Sequence, residues 1–276
     1  MVIRMLTIAV ALTGALGMAP EFALAQSDSR LEMIPDGPLY FPDAIGSRWR
    51  YRGTIETLPL QQISERKTFV NISSVTGTQT INGVPVKVFH DTNPGNHGET
   101  NSYYRRDAVG IIYYGSSPGT PVERQVTPYQ IVHFPIDVPS SFQQFERKGI
   151  DFDNDLDGDG SPEKADVEAS VTVVGKESVT VPAGTYADAL KLEARMSMRI
   201  HLSKTKRSVV STDLLTAWFA KGIGLVKYTE HQEMPPAATD RGGITNITEE
   251  LEGADIKTVE SPVSRDGRIR AAAYAR

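Results

Sequence analysis

Apolar and polar residues alternate with a period of two along most of the chain. The runs at residues 67–72, 78–81 and 84–89 show the pattern and are rich in β-branched and aromatic side chains. Such alternation is typical of strands that bury one face. Beyond the N-terminus, the only helical pattern is a short turn predicted at residues 186–189. The chain is therefore predicted to be all-β and antiparallel.

Turn residues between the apolar runs predict where strands pair. Asn82-Gly83 separates two β-rich runs, which is the strongest short-range signal for a hairpin. A second hairpin is predicted across the Asp-Ala-Val-Gly turn at residues 107–110. Residues 185–200 and 204–218 form a third predicted pair.

The two ends of the chain depart from this alternation. Residues 1–25 combine a positive charge at Arg4, an apolar run and the small-x-small sequence Ala23-Leu24-Ala25, which predict a secretory signal peptide cleaved after Ala25. The apolar run is shorter than the roughly 20 residues that cross a bilayer. Residues 251–276 are rich in Gly, Ser, Pro and charge and predict a disordered tail. A single β-rich domain over residues 26–250 is expected, located in the periplasm or outside the cell, without a membrane span.

A weak internal similarity indicates how this domain is organised. Residues 41–49 and 134–142 each combine an aromatic-Pro start, a turn and an aromatic end. The similarity suggests two β-rich halves, joined near residues 150–166.

Composition narrows the classes of function. The chain has no cysteine, so no disulfide contributes to the fold, and its net charge of −5 argues against a nucleic-acid partner, which requires a basic face. The histidines are scattered, and neither a nucleophile elbow nor a phosphate loop occurs. His97 could act as a base, but the turn-rich composition of residues 92–98 favours a solvent-exposed turn. No catalytic residue is predicted. A two-carboxylate glycosidase stays open, because such carboxylates meet only in the fold.

One twelve-residue window carries the clearest chemical signal. Carboxylates stand at its first, third, fifth, ninth and twelfth positions, and Gly160 at the sixth permits a sharp turn. This is the ligand spacing of a calcium loop, because Ca²⁺ takes several oxygen ligands at once. The predicted metal ligands are Asp155, Asp157, Asp159, the backbone carbonyl of Ser161, Glu163 directly or through water, and Asp166.

The window resembles the loops of EF-hand and dockerin modules but departs from them in two ways. Pro162 stands at the eighth position, where such loops use a backbone N–H that proline lacks. Residues 167–174 are β-branched and predict a strand in place of the exiting helix. A helix-free calcium loop between two strands is therefore predicted. The alternative is an acidic surface turn without a metal.

Three further segments are similar to the motifs of one family. They are residues 40–51, 174–186 and 218–228, which contain an aromatic-Pro opening, a Val-Pro-Ala-Gly-Thr turn and an aromatic Gly-x-Gly strand. Together they resemble exported bacterial proteins of uncharacterised function, the DUF3108-like or TapB-like family. The resemblance implies a curved antiparallel sheet or half-barrel, in the style of periplasmic lipoprotein carriers. It implies no catalytic residue, and the calcium-type loop is not part of the shared pattern.

The same motifs also predict local structure from their own residues. Pro182 fixes one backbone dihedral and Gly184 can adopt a positive φ, which predicts a tight turn between strands. Trp218, Phe219 and Tyr228 flank a glycine-rich turn, which predicts a hairpin with its aromatic side chains packed inward. An aromatic platform for a ligand is the alternative.

The sequence therefore predicts an exported, non-enzymatic β protein of the cell envelope with a Ca²⁺-stabilised loop. Its expected partner is an envelope lipid, glycan or protein, bound on a concave sheet lined with Tyr, Phe and Val. A glycan-acting enzyme with a structural calcium is the second hypothesis, and an extracellular interaction module is the third. Two facing carboxylates with raised pKa values in a cleft would favour the enzyme.

Overall fold

The computed structural model describes residues 32–58, 64–238 and 242–258. The predicted signal peptide at residues 1–25 and most of the predicted tail lie outside the described residues. The strands are β1 Glu32–Ile34, β2 Arg48–Leu58, β3 Glu65–Ile81, β4 Val84–Asp91, β5 Thr100–Asp107, β6 Gly110–Ser117, β7 Tyr129–His133, β8 Ile136–Val138, β9 Ser140–Asp151, β10 Lys164–Val181, β11 Gly184–His201, β12 Ser208–Ala220, β13 Gly224–Met234 and β14 Gly243–Asp255. One α-helix, α1 Pro121–Val126, and two 3₁₀ turns, Gly37–Tyr40 and Pro94–Asn96, complete the described elements.

Twelve strands form one antiparallel sheet, in the order β7-β6-β5-β4-β3-β2-β14-β13-β12-β11-β10-β9. The first half of the chain supplies β2 to β7 and the second half supplies β9 to β14, and the halves join where β14 pairs with β2. β1 and β8 form a separate two-stranded sheet. The predicted all-β class and curved antiparallel sheet are confirmed.

The large sheet curves until its edge strands β7 and β9 approach each other. Gln144 Nε2 on β9 donates a hydrogen bond to the carbonyl of Gln130 on β7 at 2.8 Å, so the sheet is nearly closed into a barrel. Ring contacts also continue across the interior and over this seam, through the pairs Trp49–Phe89, Phe89–Tyr104, Tyr104–Tyr113, Tyr113–Tyr129 and Tyr129–Phe145. The prediction that an aromatic concave face serves as the ligand surface is therefore wrong, because these rings pack against one another in the core.

The predicted hairpins are confirmed. Asn82 and Gly83 join β3 to β4 with φ angles of 49° and 80°, the left-handed values that match the twist of a two-residue hairpin. β5 pairs with β6 across residues 107–110, and β11 pairs with β12. The turn between β10 and β11 brings Val181 opposite Gly184, as the Val-Pro-Ala-Gly motif predicts.

The helical turn predicted at residues 186–189 is wrong. These residues belong to β11, whose ladder with β10 continues from His201 down to the turn. The helix α1 lies elsewhere and begins with a capping box. Thr120 Oγ1 accepts from the backbone N–H of Glu123 at 3.0 Å, and Glu123 Oε2 accepts from the backbone N–H of Thr120 at 3.1 Å. The sequence signal for α1 was this Thr-Pro-Val-Glu run.

The domain extends five residues beyond the predicted boundary at residue 250. β14 continues to Asp255, and Leu251 is fully buried within it. The carbonyl of Leu251 accepts a hydrogen bond from Ala183 N at 2.9 Å, which links this end of β14 to the β10–β11 turn. The predicted boundary is wrong because the burial of Leu251 and the backbone hydrogen bonds of β14 stabilise this strand despite the polar residues around it.

The opening and closing motif segments pack against each other. The rings of Phe41 and Phe219 lie 4.7 Å apart, and Trp49 Nε1 donates to the carbonyl of Ile223 at 2.6 Å. Tyr51 Oη donates to the carbonyl of Leu225 at 3.0 Å. These segments, far apart in sequence, therefore fix the β12–β13 hairpin against β2.

Trp218 is the exception to the predicted inward packing. It alternates with the buried Phe219, so its ring stands on the outer face of the sheet. The ammonium groups of Lys191 and Lys227 lie over this ring, 5.6 Å and 5.9 Å from its centroid. The ring is therefore engaged by neighbouring side chains and does not form an open platform for a ligand.

Gly53 in β2 provides a test of how tightly the core is packed. A Cβ at this position would lie 2.1 Å from Cζ of Phe69, whose ring covers the glycine from β3. Gly53→Ala is expected to lower the free energy of unfolding by about 1–3 kcal/mol, because the buried ring must move. Gly77→Ala is the matched control, since nothing lies within 4 Å of its Cβ position. Equal losses for the two variants in urea unfolding would contradict this packing.

Candidate metal site in the loop between β9 and β10

The acidic window forms the loop that joins β9 to β10. It therefore lies inside the second half of the sheet, and the prediction that it joins the two halves is wrong. The strand predicted after the window is confirmed, since β10 begins at Lys164. The loop is thus a connection between two neighbouring antiparallel strands.

Three of the predicted ligands converge in this loop. Asp155, Asp157 and Asp159 each place one carboxylate oxygen within 4.8 Å of the others. Ca²⁺ binds oxygens at 2.3–2.6 Å, so two ligands on opposite sides of one ion lie about 4.6–5.2 Å apart. The spacing of the three carboxylates therefore fits a single ion of this size.

Asp155 organises the turn of the loop. Its Oδ1 accepts from Gly158 N at 2.7 Å and its Oδ2 accepts from Gly160 N at 2.8 Å. These backbone hydrogen bonds, that of Gly160 foremost, lower the pKa of the Asp155 carboxyl. Gly160 adopts a φ of 90°, which a residue with a Cβ would resist. The loop therefore holds Asp155 ionised with its neighbours turned towards it.

Asp157 and Glu163 are buried carboxylates with incomplete hydrogen bonding. They are only 3 % and 0 % exposed. Asp157 Oδ2 accepts from Lys204 N at 2.7 Å, and Glu163 Oε2 accepts from Ser203 N at 2.8 Å. The second oxygens, Asp157 Oδ1 and Glu163 Oε1, are buried without a hydrogen-bond partner. Such oxygens are costly in the absence of a compensating charge, and a bound cation would compensate them.

The turn between β11 and β12 forms the second wall of the site. The backbone N–H groups of Lys204 and Ser203 bind Asp157 and Glu163, and the Ser203 hydroxyl donates to Asp159 Oδ2 at 2.5 Å. This hydrogen bond is the main cause that lowers the pKa of Asp159. The sequence did not predict the roles of Ser203 and Lys204, because these residues lie about forty residues after the acidic loop and carry no ligand motif.

Asp166 does not join the carboxylate cluster, and Ser161 is linked to the cluster through its N–H. Ser161 is exposed, and its N–H donates to Asp159 Oδ1 at 2.9 Å. Asp166 lies within β10, where its Oδ1 accepts from Gly149 N at 2.9 Å and its Oδ2 lies 3.0 Å from His201 Nε2. In an EF-hand the exiting helix returns the twelfth residue to the ion, whereas a strand carries it away. The structure thus brings together Asp155, Asp157 and Asp159, and Ser203 links the buried Glu163 to Asp159.

Asp166 instead belongs to a Ser–His–Asp arrangement on the sheet. His201 Nδ1 lies 3.1 Å from Ser208 Oγ, and His201 Nε2 faces Asp166. The order is the reverse of a hydrolase triad, in which Nε2 faces the serine. The His201 and Asp166 side chains are also 42 % and 37 % exposed, so solvent surrounds them. The arrangement fits a surface hydrogen-bond network better than a nucleophile.

A second group of acids lies inside the sheet. Asp213, Glu230 and Glu249 are each about 5 % exposed. Burial raises the pKa of Asp213 and of Glu249 to about 7, and burial together with repulsion from Asp213 raises the pKa of Glu230. The cavity beside Glu230, Glu249 and Tyr51 has a volume of only about 20 Å³. It holds roughly one water molecule.

The loop at residues 92–98 closes this interior. Gly95 N donates to Glu249 Oε1 at 2.7 Å, and Pro94 and Gly95 are buried. The prediction of a solvent-exposed turn is therefore wrong for this part of the loop, because a buried carboxylate binds its backbone. His97, by contrast, is exposed.

Comparison with known protein families finds a match to part of the chain. Residues 126–233 match the family model described as DUF3108-like. These residues are similar to the DUF3108-like family. The DUF3108-like region includes the candidate metal site and two of the three motif segments, so the resemblance seen in the sequence is confirmed for this region. The opening segment at residues 40–51 precedes it.

Solved structures show a more distant similarity. One is a provisionally assigned lipoprotein from Parabacteroides distasonis, with a TM-score of 0.35 and 15% identity, covering 78% of this chain and 98% of the other. Another is a provisionally assigned exported protein with a YmcC-like fold from Bacteroides fragilis, with a TM-score of 0.34, 14% identity and the same coverage. No curated protein matches the chain. Within the described residues, no helix combines the length and the hydropathy of a membrane-spanning segment.

Proposed function

We propose that this chain is an exported, non-enzymatic protein of the cell envelope whose β9–β10 loop binds Ca²⁺. The ligands are the side chains of Asp155, Asp157, Asp159 and Glu163. The observation that carries the proposal is the buried oxygen Asp157 Oδ1, which lacks a hydrogen-bond partner within the carboxylate cluster. Glu163 Oε1 is also buried without a partner, and the Glu163 carboxylate shares Ser203 as a hydrogen-bond donor with Asp159. The ion would tie the β9–β10 loop to the β11–β12 turn and so stiffen one end of the sheet.

The donor set favours calcium over other common metals. All four side chains offer carboxylate oxygens, which suit a hard cation, whereas structural zinc sites use cysteine and histidine. Mg²⁺ demands a smaller octahedral shell at 2.0–2.1 Å and keeps several of its waters. Three carboxylates gathered within 4.8 Å of one another suit the larger and more flexible oxygen shell of Ca²⁺ better.

The buried acids do not support the enzyme hypothesis. Asp213 and Glu230 have raised pKa values, but the cavity beside Glu230 is too small for a sugar or a peptide. Asp213 also borders a larger groove on the sheet, but both carboxyl groups are only 5% exposed, so the two acids do not face a substrate together. The Ser208–His201–Asp166 network is open to solvent. These observations favour the non-enzymatic alternative.

Thermal unfolding with matched variants tests the calcium proposal. Millimolar Ca²⁺ is expected to raise the melting temperature of the chelator-treated protein, and Mg²⁺ to raise it less. Asp157→Asn should abolish the response to Ca²⁺, because one ligand charge is lost. Asp153→Asn should keep the response, since Asp153 is exposed outside the cluster and asparagine also tolerates its φ of 64°. A response that survives in Asp157→Asn would refute this ligand set.

The export part of the proposal rests on the predicted signal peptide. The mature protein is expected to begin at Gln26 and to fractionate outside the cytoplasm of its host. N-terminal sequencing of the natural protein is the measurement. A chain that retains residues 1–25 would contradict export by this route.

A further inference from the structure

The outer face of the sheet carries a groove of about 610 Å³ across β9 to β13. Register places Gln143, Ser170, Arg195, Leu214 and His231 opposite one another in a single row along it. Because neighbouring strands lie about 4.8 Å apart, five strands give the row a length of about 19 Å. The groove has the volume of a small-molecule site and is elongated across the strands.

The walls of the groove combine hydrogen-bonding groups with little net charge. Of the exposed lining residues, Glu168 and Arg195 have opposite charges, and Arg195 Nη2 also contacts Glu193 at 2.9 Å. Asp213 also borders the groove but is only 5% exposed, and burial raises the pKa of its carboxyl. His231 lies between Asn246 Oδ1 at 2.7 Å and Glu233 Oε1 at 2.9 Å. A polyanion would require an excess of basic residues, and an organic cation would require an excess of acids. The charge balance therefore favours a neutral ligand.

The remaining wall residues indicate which chemical groups the ligand carries. Ser197 and Thr212 contribute hydroxyls, and Gln143 contributes an amide, so the walls both donate and accept hydrogen bonds. Leu214, which is partly exposed and lies next to Arg195 in the row, provides an apolar contact. A ligand that presents many hydroxyls, apolar C–H faces and no charge matches this set.

The paired backbone of the groove disfavours a peptide that adds as a strand. β10, β11 and β12 each have strands on both sides, so their ladder groups are already hydrogen-bonded. Strand addition requires a free sheet edge that runs parallel to the peptide, whereas this row runs across the strands. Recognition must therefore come from side chains.

We propose that this groove binds a neutral oligosaccharide lying across β9 to β13. Arg195 and Gln143 would donate to sugar oxygens, the hydroxyls of Ser197 and Thr212 would bond to sugar hydroxyls, and Leu214 would contact a C–H face. The site is separate from the calcium loop and does not depend on it, so failure of either proposal leaves the other standing.

Saturation-transfer NMR on the mature chain tests this site. The probes are cellohexaose, maltohexaose and chitohexaose, with pentaglycine as a peptide probe, each in calcium and in chelator. At least one hexasaccharide is expected to bind. Arg195→Ala should weaken its binding by about tenfold or more, the size of one hydrogen bond to a charged group. Arg199→Ala should bind normally, since Arg199 is exposed on the same face of β11 but does not line the groove.

Any of three other results would overturn the proposal. Absence of saturation transfer to all three sugars at about 10 mM, well above a millimolar dissociation constant, would exclude a saccharide site of useful affinity. Equal binding by Arg195→Ala would place the sugar elsewhere on the molecule. Binding of pentaglycine in preference to the sugars would assign the groove to peptides.

Discussion

The free energy of unfolding is expected to fall as the pH rises from about 5 to about 8, because buried carboxyl groups lose protons that the folded state holds tightly. The groups are Asp213, Glu230 and Glu249. Burial is the main cause that raises the pKa of each, to about 7 for Asp213 and for Glu249. In the part of the chain described, the buried polar side chains include no lysine or arginine to compensate them.

The direction follows from proton linkage. A raised pKa means that the folded state binds a proton more tightly than the unfolded chain, so the associated stability is complete at low pH and is lost as the pH passes through about 7. For Glu249 the pKa rises from 4.5 to about 7. At 1.36 kcal/mol per pKa unit this corresponds to a loss of about 3 kcal/mol from one group. The pKa values of Asp36 and Asp159 are lowered from 3.8, so these groups affect stability only at pH values below this range.

The Asp213→Asn variant tests this pH dependence when urea unfolding is measured in the presence of chelator at several pH values. The variant should be more stable than the natural protein at about pH 8, and its stability should depend less on pH, because one member of the buried pair can no longer ionise. Glu249→Gln is less suitable, since its new amide would face the donor Asn71 Nδ2. Glu65→Gln is the control, with a carboxylate that is 65% exposed. A stability that rises steadily through pH 7, or an unchanged pH profile in Asp213→Asn, would show that these buried acids do not have raised pKa values in the folded state.

Glu163→Gln is expected to reverse the order of stability between chelator and calcium. Without metal, the variant should be at least as stable as the natural protein, because a neutral amide replaces a fully buried carboxylate with an unpaired oxygen. With calcium at one hundred times its dissociation constant, the natural protein gains about 2.7 kcal/mol that the variant does not. The variant should then be the less stable of the two.

This reversal in the order of stability distinguishes a metal ligand from a purely structural residue. The amide introduced by Glu163→Gln would retain an oxygen for Ser203 N, so the β11–β12 turn keeps its hydrogen bond in either condition. Chemical unfolding of both proteins in chelator and in calcium measures the effect. A variant that is less stable by the same amount in both conditions would mean that Glu163 contributes only to packing.

The architecture was largely predictable because local chemistry determines it. Asn82-Gly83 requires a left-handed turn, and the period of two determines which residues face the core, so hairpins follow from neighbouring residues. The degree of curvature was not predictable, because it depends on how the rings of Tyr129 and Phe145 meet across a seam between distant strands. The orientation of Trp218 followed from strict alternation beside Phe219, which its aromatic character obscured.

The candidate site was predictable only as far as one loop contains it. The spacing of Asp155, Asp157 and Asp159 brings their oxygens together, as the calcium-loop template predicts. The template was misleading at Asp166, because it assumes a helix where this chain forms β10. Ser203, which bonds to the loop from another turn, is brought there by the pairing of β10 with β11 and has no local signal.

Calorimetric titration of the chelator-treated mature protein with Ca²⁺ tests the central claim most directly. We expect one site per chain, with a dissociation constant on the order of 10⁻⁴ to 10⁻³ M, the range of extracellular calcium modules. Asp157→Asn should give no binding heat, and Asp153→Asn should match the natural protein. Absence of binding heat up to about 10 mM Ca²⁺, well above that range, would show that the loop is an acidic turn and not a calcium site.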